Sequence, residues 1–168
     1  MSLGQVDILS MARAVQADEC RRSFFYFVKT FWAVIIPETP VFNWHIPYLC
    51  EELQELSGYI VRREKKPYDI IINIPPGSTK STIVTIMWHA WLWTQDARLR
   101  IISNSYSGDL SLEHASKSKD IITSDLYRTL FRSGDRHDKS GKGSYENIKG
   151  APDILLRQVV QLPESMRM

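Results

Sequence analysis

The stretch Tyr68-Asp69-Ile70-Ile71-Ile72-Asn73-Ile74-Pro75-Pro76-Gly77-Ser78-Thr79-Lys80-Ser81-Thr82 sets the reading of the whole chain. Its first half is a short run of β-branched apolar residues, which reads as a buried strand. Pro75-Pro76-Gly77-Ser78 ends it, because neither proline can donate to a ladder and glycine turns the chain freely. From Thr79 to Trp93 the pattern has helical length, with Ile83, Ile86, Met87 and Ala90 on one face. Arg98 to Asn104 repeats the strand signature through Leu99, Ile101 and Ile102, and residues 109–131 read as a helix or helix pair. Strand, loop, helix, strand is the order of a parallel α/β sheet.

Upstream, residues 5–35 read as helix, rich in alanine and then in aromatic residues, until Pro37 and Pro40 break it. Trp44 to Leu56 resumes a helical spacing through Ile46, Leu49, Leu53 and Leu56. Arg62-Arg63-Glu64-Lys65-Lys66 before Pro67 reads as an exposed connection, with contact to nucleic-acid phosphates as the sharper alternative. Downstream, residues 132–150 are dominated by glycine, serine, lysine and aspartate and read as a polar loop.

Composition narrows the class further. Hydrophobic residues make up 43% of the 168 and charged residues 24%, which excludes disorder, collagen and coiled coil. With 21 basic against 19 acidic side chains the net charge is +2, so no bulk charge advertises a nucleic-acid binder. Cys20 and Cys50 are too few for a disulfide framework and read as reduced thiols. No apolar run is long enough to span a bilayer: Phe24 to Ile36 is interrupted by Lys29 and stopped by Pro37. Nor does the beginning have a basic-then-apolar leader layout, so a cytoplasmic protein is expected.

The chemistry lies in the loop. A phosphate cradle needs inward-pointing backbone N–H groups, a helix N-terminus, one cation, and a hydroxyl to hold Mg²⁺ against the phosphates. Pro76, Gly77, Ser78, Thr79, Lys80, Ser81 and Thr82 meet that list, with Lys80 placed for the β- and γ-phosphates and Ser81 for the metal. The general pattern G-x-x-x-x-G-K-[ST] would have glycine where this chain has Ile74 and Thr79. An accidental Pro-Gly turn before a helix carrying Lys-Ser is the plain alternative.

This loop, with its double proline, resembles the Walker A variant Pro-Pro-x-x-x-Lys-Ser of phage terminase large subunits, the motors that pump DNA into procapsids. Other features resemble that family in the same order: Trp44-His45 entering a helix, the aromatic stretch Trp88, Trp91 and Trp93, Ser103-Asn104-Ser105-Tyr106-Ser107 after a strand, and Ser124-Asp125-Leu126-Tyr127-Arg128-Thr129-Leu130-Phe131. Together they cover residues 24–150. Many relatives carry arginine where this chain has Gly77 and glycine where it has Thr79.

The resemblance implies an incomplete α/β fold, a P-loop NTPase-like three-layer core with parallel strands. It implies ATP and Mg²⁺ as cofactors, Lys80 as the catalytic cation, and Trp44 and His45 beside the adenine. The implied partners are double-stranded DNA, the terminase small subunit and the portal, with a homo-oligomeric ring in the complete motor and no membrane. Plainer readings remain beside these. The three tryptophans read as core or subunit contacts, Trp44 and His45 as a packed aromatic with a hydrogen-bonded histidine, and Ser105-Tyr106-Ser107 as a capping turn.

An ATPase also needs an acidic pair after a second apolar strand. Residues 108–168 contain no run of four apolar residues followed by Asp-Asp or Asp-Glu. Residues 151–168 read as an atypical tail. Shifted by one base, with free wobble positions, Pro152 to Met166 can encode a Ser-x-Gly-Gly-x-x-Thr-Gly segment like that of the family, which suggests an out-of-frame translation; a C-terminal helix from Asp153 to Leu162 is the alternative. The expected organisation is a helical lead-in over 1–43, an ATPase core fragment over 44–131, the polar loop and the tail. Two rival classes stay open: a different P-loop enzyme such as a helicase-like ATPase or small kinase, and a non-catalytic prophage remnant.

Overall fold

The structure is a computed structural model that describes residues 3–103, 105 and 107–131, with side chains from Ile8 onward. The described residues contain six α-helices: α1 (Leu3–Arg22), α2 (Phe24–Ile35), α3 (His45–Arg62), α4 (Trp88–Gln95), α5 (Gly108–Thr123) and α6 (Asp125–Phe131). A π-helical segment, Thr82–Met87, runs directly into α4.

The expected continuous helix over 5–35 is two helices, and Ser23 marks the join. Its backbone is extended and its hydroxyl accepts from the Tyr26 N–H at 3.1 Å, an N-cap that starts α2 afresh. Gln54 on α3 reinforces the same end, its Oε1 accepting from the Phe24 N–H at 2.7 Å. Ser124 does likewise between α5 and α6, where its hydroxyl accepts from Tyr127 N–H at 3.2 Å.

α2 is the centre of the core. Phe24, Phe27, Val28 and Phe31 have no solvent exposure, and the helix packs against α1, α3 and α5. Phe27 and Phe31 stack with ring centroids 4.4 Å apart, and Tyr127 and Phe131 of α6 close over them. The tryptophans bear out the plain reading, each with its indole N–H satisfied. Trp91 donates to Cys20 O at 2.8 Å, Trp88 to Ser57 Oγ at 2.8 Å and Trp93 to Leu99 O at 3.0 Å. Buried Ser118 donates to the Ile86 carbonyl, so α5 is stitched to the π segment. Both cysteines are buried and free, and burial pushes the Cys50 thiol up to about 12.

The expected α/β core with parallel strands is contradicted. Helix accounts for 69% of the described residues and none of them is in a strand. The two runs read as strands have no regular secondary structure, and no hydrogen bond joins them to each other; the second is tied instead to the end of α4, where the Leu99 N–H donates to Asp96 O at 3.2 Å and the Leu99 carbonyl accepts from Trp93 at 3.0 Å. An extended run becomes a strand only with a neighbour to share its ladder. Nor are the runs buried on both faces as a parallel sheet requires. Ile70, Ile72, Leu99 and Ile101 rest against the core, whereas Ile71 is 93% exposed and Ile102 64%. The β-branched composition reported local stiffness and a half-buried alternation, not the pairing.

No described helix is long and apolar enough to cross a membrane. The polar loop 132–150, the tail 151–168, and Asn104 and Tyr106 lie outside the described residues.

Candidate phosphate-binding loop

Residues 74–82 fold around a hollow of about 460 Å³ and are the described residues that line it. Two left-handed residues bend the loop. Gly77 has φ +82° with open space where a Cβ would stand, and Thr79 has φ +57°. For a β-branched residue that conformation is a true outlier. Thr79 occupies the position where the general pattern has glycine, so the loop adopts the bend that a glycine would make easily. Two short hydrogen bonds hold it: Ser78 Oγ donates to Pro75 O and Thr79 Oγ1 to Ser78 O, both at 2.7 Å.

Helix begins at once. The Ile83 N–H donates to Thr79 O at 3.1 Å, and Lys80 and Ser81 are already helical. Among the described residues, no acceptor meets the N–H groups of Lys80, Ser81 and Thr82, which are the open donors of a helix N-terminus. Lys80 is half-buried, and no described carboxylate lies in ion-pair range of it. Unpaired N–H groups and an uncompensated cation give the hollow a positive field suited to an anion. The π segment that follows widens the helix by one residue per turn, a distortion common beside functional sites.

Trp44 and His45 are not in this hollow. They line a second one of about 410 Å³, with Tyr48, Leu49 and Glu52 of α3 and residues 68–74. Ile74 borders both hollows, so the two adjoin. Trp44 is 81% exposed and edge-on to the His45 ring at 6.1 Å. The His45 Nε2 atom is buried with no partner, which overturns the expectation of a hydrogen-bonded histidine. Tyr48 and Glu52 escaped the sequence reading although they follow Trp44 at the i+4 and i+8 positions of a helix face.

Mg²⁺ fits poorly. The described residues contain no group of three His, Cys, Asp or Glu side chains that could hold a metal ion, and Ser81 offers a single exposed hydroxyl. Mg²⁺ sites use one or two carboxylates beside the phosphates, and none borders the loop hollow.

Two of the four basic side chains in the cluster are paired. Arg62 pairs with Glu64 at 2.9 Å and Lys66 with Asp69 at 2.6 Å, and Arg63 is the left-handed cap of α3. That arrangement favours the exposed connection over a phosphate contact. Ser107 is the N-cap residue of α5, with extended backbone and its carbonyl accepting from the Ser111 N–H at 3.2 Å, but its side chain makes no cap hydrogen bond.

Thr79→Gly should relieve the left-handed strain and raise unfolding free energy by about 1 kcal/mol. Urea denaturation of the two proteins measures this directly, and a loss of stability would show that the bend is not strained. Comparison with known proteins returns no match: no family model fits the chain, and no curated protein or solved structure is similar to it. What fold and loop define is a helical domain whose Lys80-bearing helix begins in a strained, anion-receptive turn.

Proposed function

We propose that the loop over residues 74–82 binds the phosphate chain of ATP. On the resemblance of its motifs, the chain is then the ATP-binding portion of a terminase large subunit, the motor that packages phage DNA. The observation that carries this reading is the left-handed Thr79 at the start of the Lys80 helix, with Lys80, Ser81 and Thr82, whose N–H groups have no described acceptor, all lining one hollow. Strain held at such a position is characteristic of ligand-binding sites.

Lys80 would neutralise the outer phosphates while Ser78, Ser81 and Thr82 flank the chain. The adjoining hollow at Trp44 and His45 suits a flat heterocycle, since Trp44 offers a free face and His45 Nε2 an unused hydrogen-bonding atom. The reading is one of binding rather than turnover, because no described carboxylate borders the loop hollow to hold a metal or orient an attacking water. Double-stranded DNA, the small subunit and the portal would be partners of the complete motor, in the host cytoplasm.

Thermal unfolding with metal-free ATP tests the proposal. Ligand at a hundredfold excess over Kd should stabilise the fold by about 2.7 kcal/mol. Lys80→Ala, whose side chain makes no described ion pair, should leave the unliganded midpoint unchanged and remove most of the shift. An unshifted midpoint in the native chain would refute nucleotide binding.

A further inference from the structure

The segment 68–74, along which exposed and half-buried residues alternate from Ile70 to Ile74, has a property the nucleotide reading does not use. None of its backbone N–H or C=O groups hydrogen-bonds to any described backbone group. Pro67 and Pro75 bound it, leaving seven residues free to pair. Unpaired strand edges are ordinarily blunted by lysine, proline or a bulge within them. Here the middle of the edge is Ile70-Ile71-Ile72, and the Ile71 side chain is 93% exposed.

We propose that this segment pairs antiparallel with the same segment of a second copy of the chain, across a two-fold axis at Ile71. The sequence is self-complementary in that register. Ile71 faces Ile71, Asp69 faces Asn73, Ile70 faces Ile72 and Tyr68 faces Ile74. No like charges stand opposite, and the Asp69 carboxylate is already paired with Lys66. The alternation matches as well. Ile70, Ile72 and Ile74 are partly buried on the core side of each copy, so the pairing extends two half-buried faces into one. On the outer side the two Ile71 side chains cover each other, which removes the most exposed large apolar group of the described structure. A β-ladder is the occupant this edge selects, because an added helix would leave its N–H and C=O groups unmet.

Sedimentation equilibrium of the 168-residue chain tests the proposal, at concentrations up to about 0.5 mM because a single strand pair lies at the small end of specific interfaces. The weight-average mass should rise toward twice that of the chain, and hydrogen exchange at residues 69–73 should slow only as concentration rises. Ile71→Lys puts two cations face to face and should weaken association at least tenfold; circular dichroism should be unchanged because the side chain lies outside the core. A native chain that stays monomeric throughout would overturn the proposal, as would an Ile71→Lys variant that associates like the native chain. Two further results would also overturn it. Loss of association on Val15→Lys alone would place the interface on the exposed apolar residues Ile8, Met11 and Val15 of α1. Protection of residues 69–73 in dilute monomer would mean that the chain covers its own edge.

Discussion

Phe27→Ala is expected to remove about 3–5 kcal/mol of stability, the range for truncating a fully buried phenylalanine. Phe27 has no exposure, stacks on Phe31 at 4.4 Å, and meets Tyr127 and Phe131 at 6.5 and 6.4 Å. It therefore joins α2 to α6 across about a hundred residues of sequence, and the void left by its ring cannot be filled by one neighbour moving. Domains have only about 5–15 kcal/mol in hand, so the variant should be partly unfolded at 37 °C. Chemical denaturation checks this. A cost below about 1 kcal/mol, the level of ordinary surface changes, would show that α2 is not the centre of the core.

The second large effect is acid instability through His89. It is 6% exposed on α4, and burial, helped by the nearby His114 charge, pushes its pKa down to about 4. The unfolded chain takes up a proton near pH 6.5, whereas the folded one does so only near 4. Unfolding is therefore favoured progressively as pH falls through that window, by on the order of 3 kcal/mol in all. His114, lowered first by its own burial, acts in the same direction. Asp69, Asp96 and Glu113, held below the usual carboxylate range by Lys66, Arg98 and Lys117, add a loss of their own as pH falls through and below that range. Stability followed from pH 7 to 4.5 should fall steeply in the native chain and more gently in His89→Gln. Parallel slopes in the two would remove His89 from the account.

The same residues explain what could be read from the sequence and what could not. The helices were legible because their signals are local: the alanines and aromatics of α1 and α2, and the Ile46-Leu49-Leu53-Leu56 face of α3. Breaks at Ser23 and Ser124 could have been seen as N-cap residues inside a helical pattern. The fold class could not, because it rested on Ile70-Ile71-Ile72 and Leu99-Ile101-Ile102, and strand pairing is a non-local fact that a run of β-branched residues does not contain. Gly77 reads as the residue that turns the loop, and it does have a left-handed backbone; the second left-handed residue, Thr79, stands where the general pattern has glycine. Placing Trp44 and His45 in a neighbouring hollow needed the position of α3 relative to residues 68–74.

The central claim is that the open N–H groups of residues 77–82 receive a phosphate chain. Amide chemical shifts of the chain titrated with metal-free ATP test it most directly, since those N–H groups are the proposed contacts. The account predicts saturable shifts concentrated at Gly77, Ser78, Thr79, Lys80, Ser81 and Thr82, lost in Lys80→Ala. Shifts confined to Arg62, Arg63, Lys65 and Lys66, or none at all, would contradict it.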